Sequence, residues 1–74
     1  MKCTITEVET KKSYEYSADA FCKRFASFLM FYERHKTEEE LDTIFARCNL
    51  AITQHSIFLY ESNGFKFMAL PERR

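Results

Sequence analysis

The side chains here best equipped for chemistry are three cysteines and two histidines: Cys3, Cys22, Cys48, His35 and His55. Thiolates and imidazoles bind zinc, and a thiolate beside an imidazole makes a nucleophile. Zinc sites show close ligand pairs in the sequence. No two of these five residues stand within two to five positions of each other. Cys48 and His55 could meet in space, which gives an enzymatic alternative built on a Cys/His site. Cys48, however, falls on an apolar stripe at helical spacing, where a thiol is usually inert packing. The acids Glu38, Glu39, Glu40 and Asp42 could pair as general acid and base. Clustered at a helix start, they read instead as a cap and a solvated face. There is no glycine-rich phosphate loop and no GxSxG elbow. A chain this short also leaves little room for a deep pocket. The expectation is a non-enzyme with no metal and no cofactor.

The elements that must position these residues follow from periodicity. MKCTITEV alternates Met1, Cys3 and Ile5 with Lys2, Thr4 and Thr6, the period of a half-buried strand. ETKKSYEY, residues 9–16, is polar; it reads as a loop or as a continuation of the strand that puts Tyr14 and Tyr16 on one face. Ser17 suits an N-cap, with Asp19 in the first turn, and the spacing predicts a helix to about Glu33 or Arg34. Thr37-Glu38-Glu39-Glu40 is a capping box. Leu41, Ile44, Phe45, Cys48 and Ile52 then recur at helical spacing, to an end between Asn49 and Gln54. SIFLYESNGFKFMAL, residues 56–70, is a hairpin pattern around Asn63-Gly64, two residues that tolerate positive φ. Either a two-residue or a four-residue turn puts Phe58, Tyr60, Phe65 and Phe67 on one face. Ile57, Leu59 and Met68 fall on the other, beside Lys66. PERR reads as a solvated tail. The fold class expected is α+β: one domain over residues 1–74, β-α-α-β-β, with two helices packed on one face of a three-stranded sheet that ends in a hairpin.

Size and charge bound the function. A chain of 74 residues buries only about 60% of the surface its unfolded form exposes. Eight phenylalanines and four tyrosines supply bulk, and one glycine and one proline leave little irregular backbone. The net charge is zero, whereas phosphate contacts dominate nucleic-acid affinity and call for a basic excess. A winged-helix-like DNA-binding regulator is the alternative, with Asn63-Gly64 as the wing tip. Residues 49–55 would then supply a short third helix with Asn49, Gln54 and His55. The acidic face of the second helix opposes this, since phosphate would repel Glu38, Glu39 and Asp42. RNA stacking on the sheet has only Lys66 between Phe65 and Phe67 in its favour. An odd number of scattered cysteines and no apolar leader after Met1 point to reduced thiols in a cytoplasmic protein. No apolar run suggests a membrane span.

FCKRFASFLMFYERH, residues 21–35, holds more apolar residues than one buried face needs. At about 100° per residue, Phe28, Phe21, Tyr32, Phe25, Leu29 and Cys22 share an arc of about 120°, a full core stripe. Phe31 and Met30 lie outside it, among Lys23, Arg24, Ser27 and Arg34. Aromatic, methionine and arginine side chains are enriched in protein interfaces. Either residues 9–16 fold over Phe31 or a partner does. The partner-binding residues expected are Lys23, Arg24, Met30, Phe31 and Arg34, with Glu38, Glu39 and Asp42 as a complementary acidic face. A homodimer could pair the two faces across a two-fold axis. The function expected is a protein–protein interaction module, such as a small phage- or mobile-element-type inhibitor that binds a host protein.

Overall fold

The computed structural model describes residues 1–72; of the tail expected at PERR, Arg73 and Arg74 lie outside the described residues. The elements run β1 (Lys2–Glu7), β2 (Lys12–Tyr16), α1 (Ala18–Tyr32), α2 (Glu38–Thr53), β3 (Phe58–Ser62) and β4 (Phe65–Leu70). The sheet therefore has four strands and not the three expected, in the order β2-β1-β4-β3, every pair antiparallel. The extra strand is β2. After Glu7 the chain turns back, with Lys11 at φ 60° and its amide donating to the Glu7 carbonyl (2.7 Å). KSYEY then pairs with β1 as an edge strand, so it needs apolar residues on one face only.

Local signals set the remaining boundaries. The Ser17 side chain accepts from the Ala20 amide (3.2 Å) and starts α1. Thr37 and Glu40 form a reciprocal capping box: Thr37 Oγ1 accepts from the Glu40 amide (3.2 Å), and Glu40 Oε1 accepts from the Thr37 amide (3.2 Å). Those bonds from Thr37, the backbone one foremost, hold the Glu40 carboxyl below its ordinary pKa. Asn63 at φ 51° and Gly64 at φ 80° make the two-residue turn, which pairs Tyr60 with Phe67 and Glu61 with Lys66. Residues 49–53 belong to the last turns of α2 and form no separate helix.

The strand registers build two rows on one sheet face: Tyr16, Cys3, Ala69 and Phe58, then Tyr14, Ile5, Phe67 and Tyr60. The buried cluster joins the inner members of these rows to Phe21, Phe25, Phe28 and Leu29 of α1 and to Cys48 and Ala51 of α2. Phe25 stands at its centre, its ring 5.0–5.3 Å from those of Phe67, Phe58 and Tyr60. Such edge-on aromatic pairs each add about 0.5–1.5 kcal/mol beyond the area they bury. Tyr32, expected in the core stripe, is exposed, because it lies at the helix end beside Phe65 and not over the sheet's centre. On the opposite sheet face Thr4, Thr6, Glu15, Leu59 and Glu61 lie outside the buried cluster. Among the described residues, no helix is long and apolar enough to cross a membrane.

Candidate functional site

An open groove of about 760 Å³ separates α1 from β2. Lys23, Arg24, Ser27 and Phe31 project from one side of the helix to form a wall, since these positions recur at i, i+1, i+4 and i+8. Tyr14 and Tyr16 of β2 form the opposite wall, and Ile5, Phe28 and Phe67 show at the base. Phe31 is 71% exposed, so the folding back of residues 9–16 does not cover it. The strand that could have done so is held by its ladder to β1, flat against the sheet.

The charge at the groove comes from fixed positions. The Arg24 guanidinium sits over the Tyr16 ring, 4.6 Å from its centroid. That cation–π contact is worth about 0.5–1 kcal/mol at an exposed site and restrains an otherwise mobile side chain. Lys23 adds a second exposed cation, and Glu7 is the single acid in the lining. Glu7 Oε2 already accepts from the Thr10 hydroxyl (3.0 Å). The groove thus combines aromatic walls, an apolar floor and a positive rim.

Of the partner-binding residues expected from the sequence, Lys23, Arg24 and Phe31 meet in this groove. Met30 is 72% exposed but points away from it, nearly opposite Phe21 on the helix. Arg34 lies beyond the end of α1, and Glu38, Glu39 and Asp42 are exposed on the first turns of α2; none of these lines the groove. The groove has walls that sequence reasoning did not assign, Tyr14 and Tyr16. Their shared face was legible, and so was a place near Phe31, but as a cover over it; the structure sets them across the groove from Phe31 and leaves it exposed. Phe67 is buried and Phe65 half-buried on the helix-facing side, so they offer no open platform for stacked bases.

The three thiols are far apart in the chain and close in space. Burial raises the pKa of each: Cys48, against Cys22 and Cys3, is pushed up to about 12, and Cys3 and Cys22 rise for the same reason. They are protonated near neutrality and packed between α1, α2 and β1. Among the described residues, no three His, Cys, Asp or Glu side chains are placed to hold a metal ion.

One buried polar cluster has no signal in the sequence. Glu33 closes α1 and is only 3% exposed. Its Oε1 accepts from the Ser62 hydroxyl and from Asn63 Nδ2 (3.1 Å). Its Oε2 lies 3.6 Å from His35 Nε2 and 3.8 Å from Lys36 Nζ. The Ser62 hydroxyl points its proton at the carboxylate, with no imidazole between them, so the cluster fastens the end of α1 to the β3–β4 turn. The neighbouring Tyr60 hydroxyl is raised in pKa by burial and by the Glu33 charge. Comparison of the chain with family models, with curated proteins and with solved structures gives no match.

Proposed function

We propose that this chain acts by binding another protein, through the groove between α1 and β2. The observation that carries the reading is Phe31, 71% exposed at the lip of an aromatic groove whose rim holds Arg24 and Lys23. Large aromatic and arginine side chains are the usual anchors of protein interfaces. The complementary segment offers an apolar side chain to the space between Phe31 and Tyr14, and carboxylates to Arg24 and Lys23. With both helices on one face of the sheet, the groove stands at the margin of the two-layer core. A partner docks there without disturbing Phe25 or Phe28. Rim charges of this kind orient and speed the encounter more than they supply affinity. A compact inhibitor that occupies a host protein's surface, of the sort mobile elements encode, fits this architecture. Three protonated, unpaired thiols suit the reducing cytoplasm.

The test is selection of binders from a random peptide library on the immobilised protein. Sequences with acidic residues around one apolar anchor are expected, and Phe31→Ala or Arg24→Glu should weaken their binding tenfold or more while the melting temperature stays within a few degrees. If Phe31→Ala unfolds the domain, or the selected peptides bind both variants as well as the original, the reading fails. Retention on duplex DNA at low salt would replace it with the nucleic-acid alternative.

A further inference from the structure

The two free edges of the sheet differ in a way that bears on self-association. On the face away from the buried cluster, β2 presents Ser13 and Glu15 beside Thr6 and Thr4. Charged and polar side chains at an edge discourage another strand from adding to it. At the other edge, Leu59 is 57% exposed and Ile57 69% exposed, and Leu59 sits beside Met68 in the register. A second groove, of about 450 Å³, runs between this edge and α2, so the helix leaves β3 open. Leu50 on α2 adds a further exposed aliphatic side chain to that groove.

The hairpin fixes which backbone groups are free. Ser62 and Phe65 flank a two-residue turn and exchange hydrogen bonds, and alternate pairs follow, Tyr60 with Phe67 and Phe58 with Ala69. The amides and carbonyls of Ile57, Leu59 and Glu61 therefore point away from the sheet. We propose that two copies of this chain pair antiparallel through β3, about a two-fold axis at Phe58, into one continuous eight-stranded sheet. This inference rests on the edge opposite the binding groove and stands independently of that reading.

Any two-fold axis centred on a residue keeps the helices of both copies on one side, and three such axes fall at Phe58, Leu59 and Tyr60 of β3. An axis at Leu59 sets Ile57 against Glu61 of the second copy, and an axis at Tyr60 sets Leu59 against it. Each places a carboxylate on an aliphatic side chain. An axis at Phe58 sets Ile57 against Leu59 in both halves, and these pairs exchange the outward backbone hydrogen bonds. Glu61 then lies beyond the paired residues, level with the turn at His55 (φ 53°), and meets no aliphatic side chain. Phe58 stays in its own core, and Leu59 and Met68 of both copies form one aliphatic strip.

The experiment is sedimentation of the full chain over a concentration series. A mass twice that of the monomer is expected, and the Ile57 and Leu59 amides should gain protection from hydrogen exchange as concentration rises. Leu59→Lys should weaken the dimer about a hundredfold, since each copy loses one buried leucine worth about tenfold or more. Ile57→Glu should act similarly, and Ser13→Lys on the other edge should leave the dimer intact. Combining Ile57→Glu with Leu59→Lys should restore it, because the two new charges face each other across an axis at Phe58. A monomer at every concentration overturns the proposal, as it would if the edge took a strand from a different protein. A dimer indifferent to Leu59→Lys, or a combined variant that remains monomeric, overturns it too.

Discussion

Replacing Glu33 by alanine removes the acceptor that Ser62 and Asn63 share. Hydrogen bonds to a charged group contribute roughly 1.5–3 kcal/mol each, so two amount to about 4 kcal/mol. Relief from holding a carboxylate out of water offsets roughly 1 kcal/mol of this. The net loss expected is about 3 kcal/mol, against a total of about 4–11 kcal/mol for a domain of this length. For so small a domain that corresponds to a fall of about 12–24 °C in melting temperature. Glu33→Gln keeps a carbonyl acceptor but loses the charge, and should cost about 1–2 kcal/mol. Urea unfolding of Glu33→Ala, Ser62→Ala and the double variant isolates the pair, whose coupling should be about 1.5–3 kcal/mol. A loss below about 1 kcal/mol for Glu33→Ala, or strict additivity with Ser62→Ala, would refute the reasoning. The cluster would then contribute no more than a surface contact does, despite the 3% exposure of Glu33.

Two further perturbations probe the core. Phe25→Ala should cost about 3–5 kcal/mol in chemical unfolding, because it empties the space among Phe58, Tyr60 and Phe67; a loss under about 1 kcal/mol would show that the site collapses around the smaller side chain. Stability should also fall at alkaline pH. The Cys48 thiol ionises near 9 in the unfolded chain but only at about 12 in the folded one. The unfolded state therefore releases its proton first, and stability is complete below pH 9 and declines above it by about 1.4 kcal/mol per pH unit. Cys48→Ala should flatten that decline in unfolding measured from pH 8 to 11, and an unchanged slope would mean that other groups cause it.

What the sequence made legible was local. The capping box at Thr37, the N-cap at Ser17 and the turn at Asn63-Gly64 each satisfy backbone groups within a few residues, so their chemistry is written in adjacent positions. The buried members of the α1 stripe, Phe21, Phe25, Phe28 and Leu29, follow from helical period alone. β2 was harder, because an edge strand with a solvated face carries little apolar alternation, and KSYEY resembles a loop. Tyr32 was misplaced because the period fixes an angle on the helix but not where the sheet beneath it ends. Glu33 joins residues about thirty positions away, and the three thiols meet from three elements. Neither arrangement has a spacing to read. Of the candidate site, the helix wall of Lys23, Arg24 and Phe31 was visible, and its tyrosine wall depended on a turn that the sequence marks weakly.

The strand order has a consequence for valency. Because β1 and β4 are central, the groove at β2 and the open edge at β3 belong to opposite ends of one sheet. Either can be occupied without obstructing the other. Two copies joined at β3 would hold their α1–β2 grooves at the far ends of eight strands, about 34 Å apart at the usual inter-strand spacing. A partner that displays its acidic segment twice at that span would be gripped at both ends. Its second attachment would proceed at the high effective concentration of a tethered site, so a shallow groove on a small domain could hold it far longer than one contact allows.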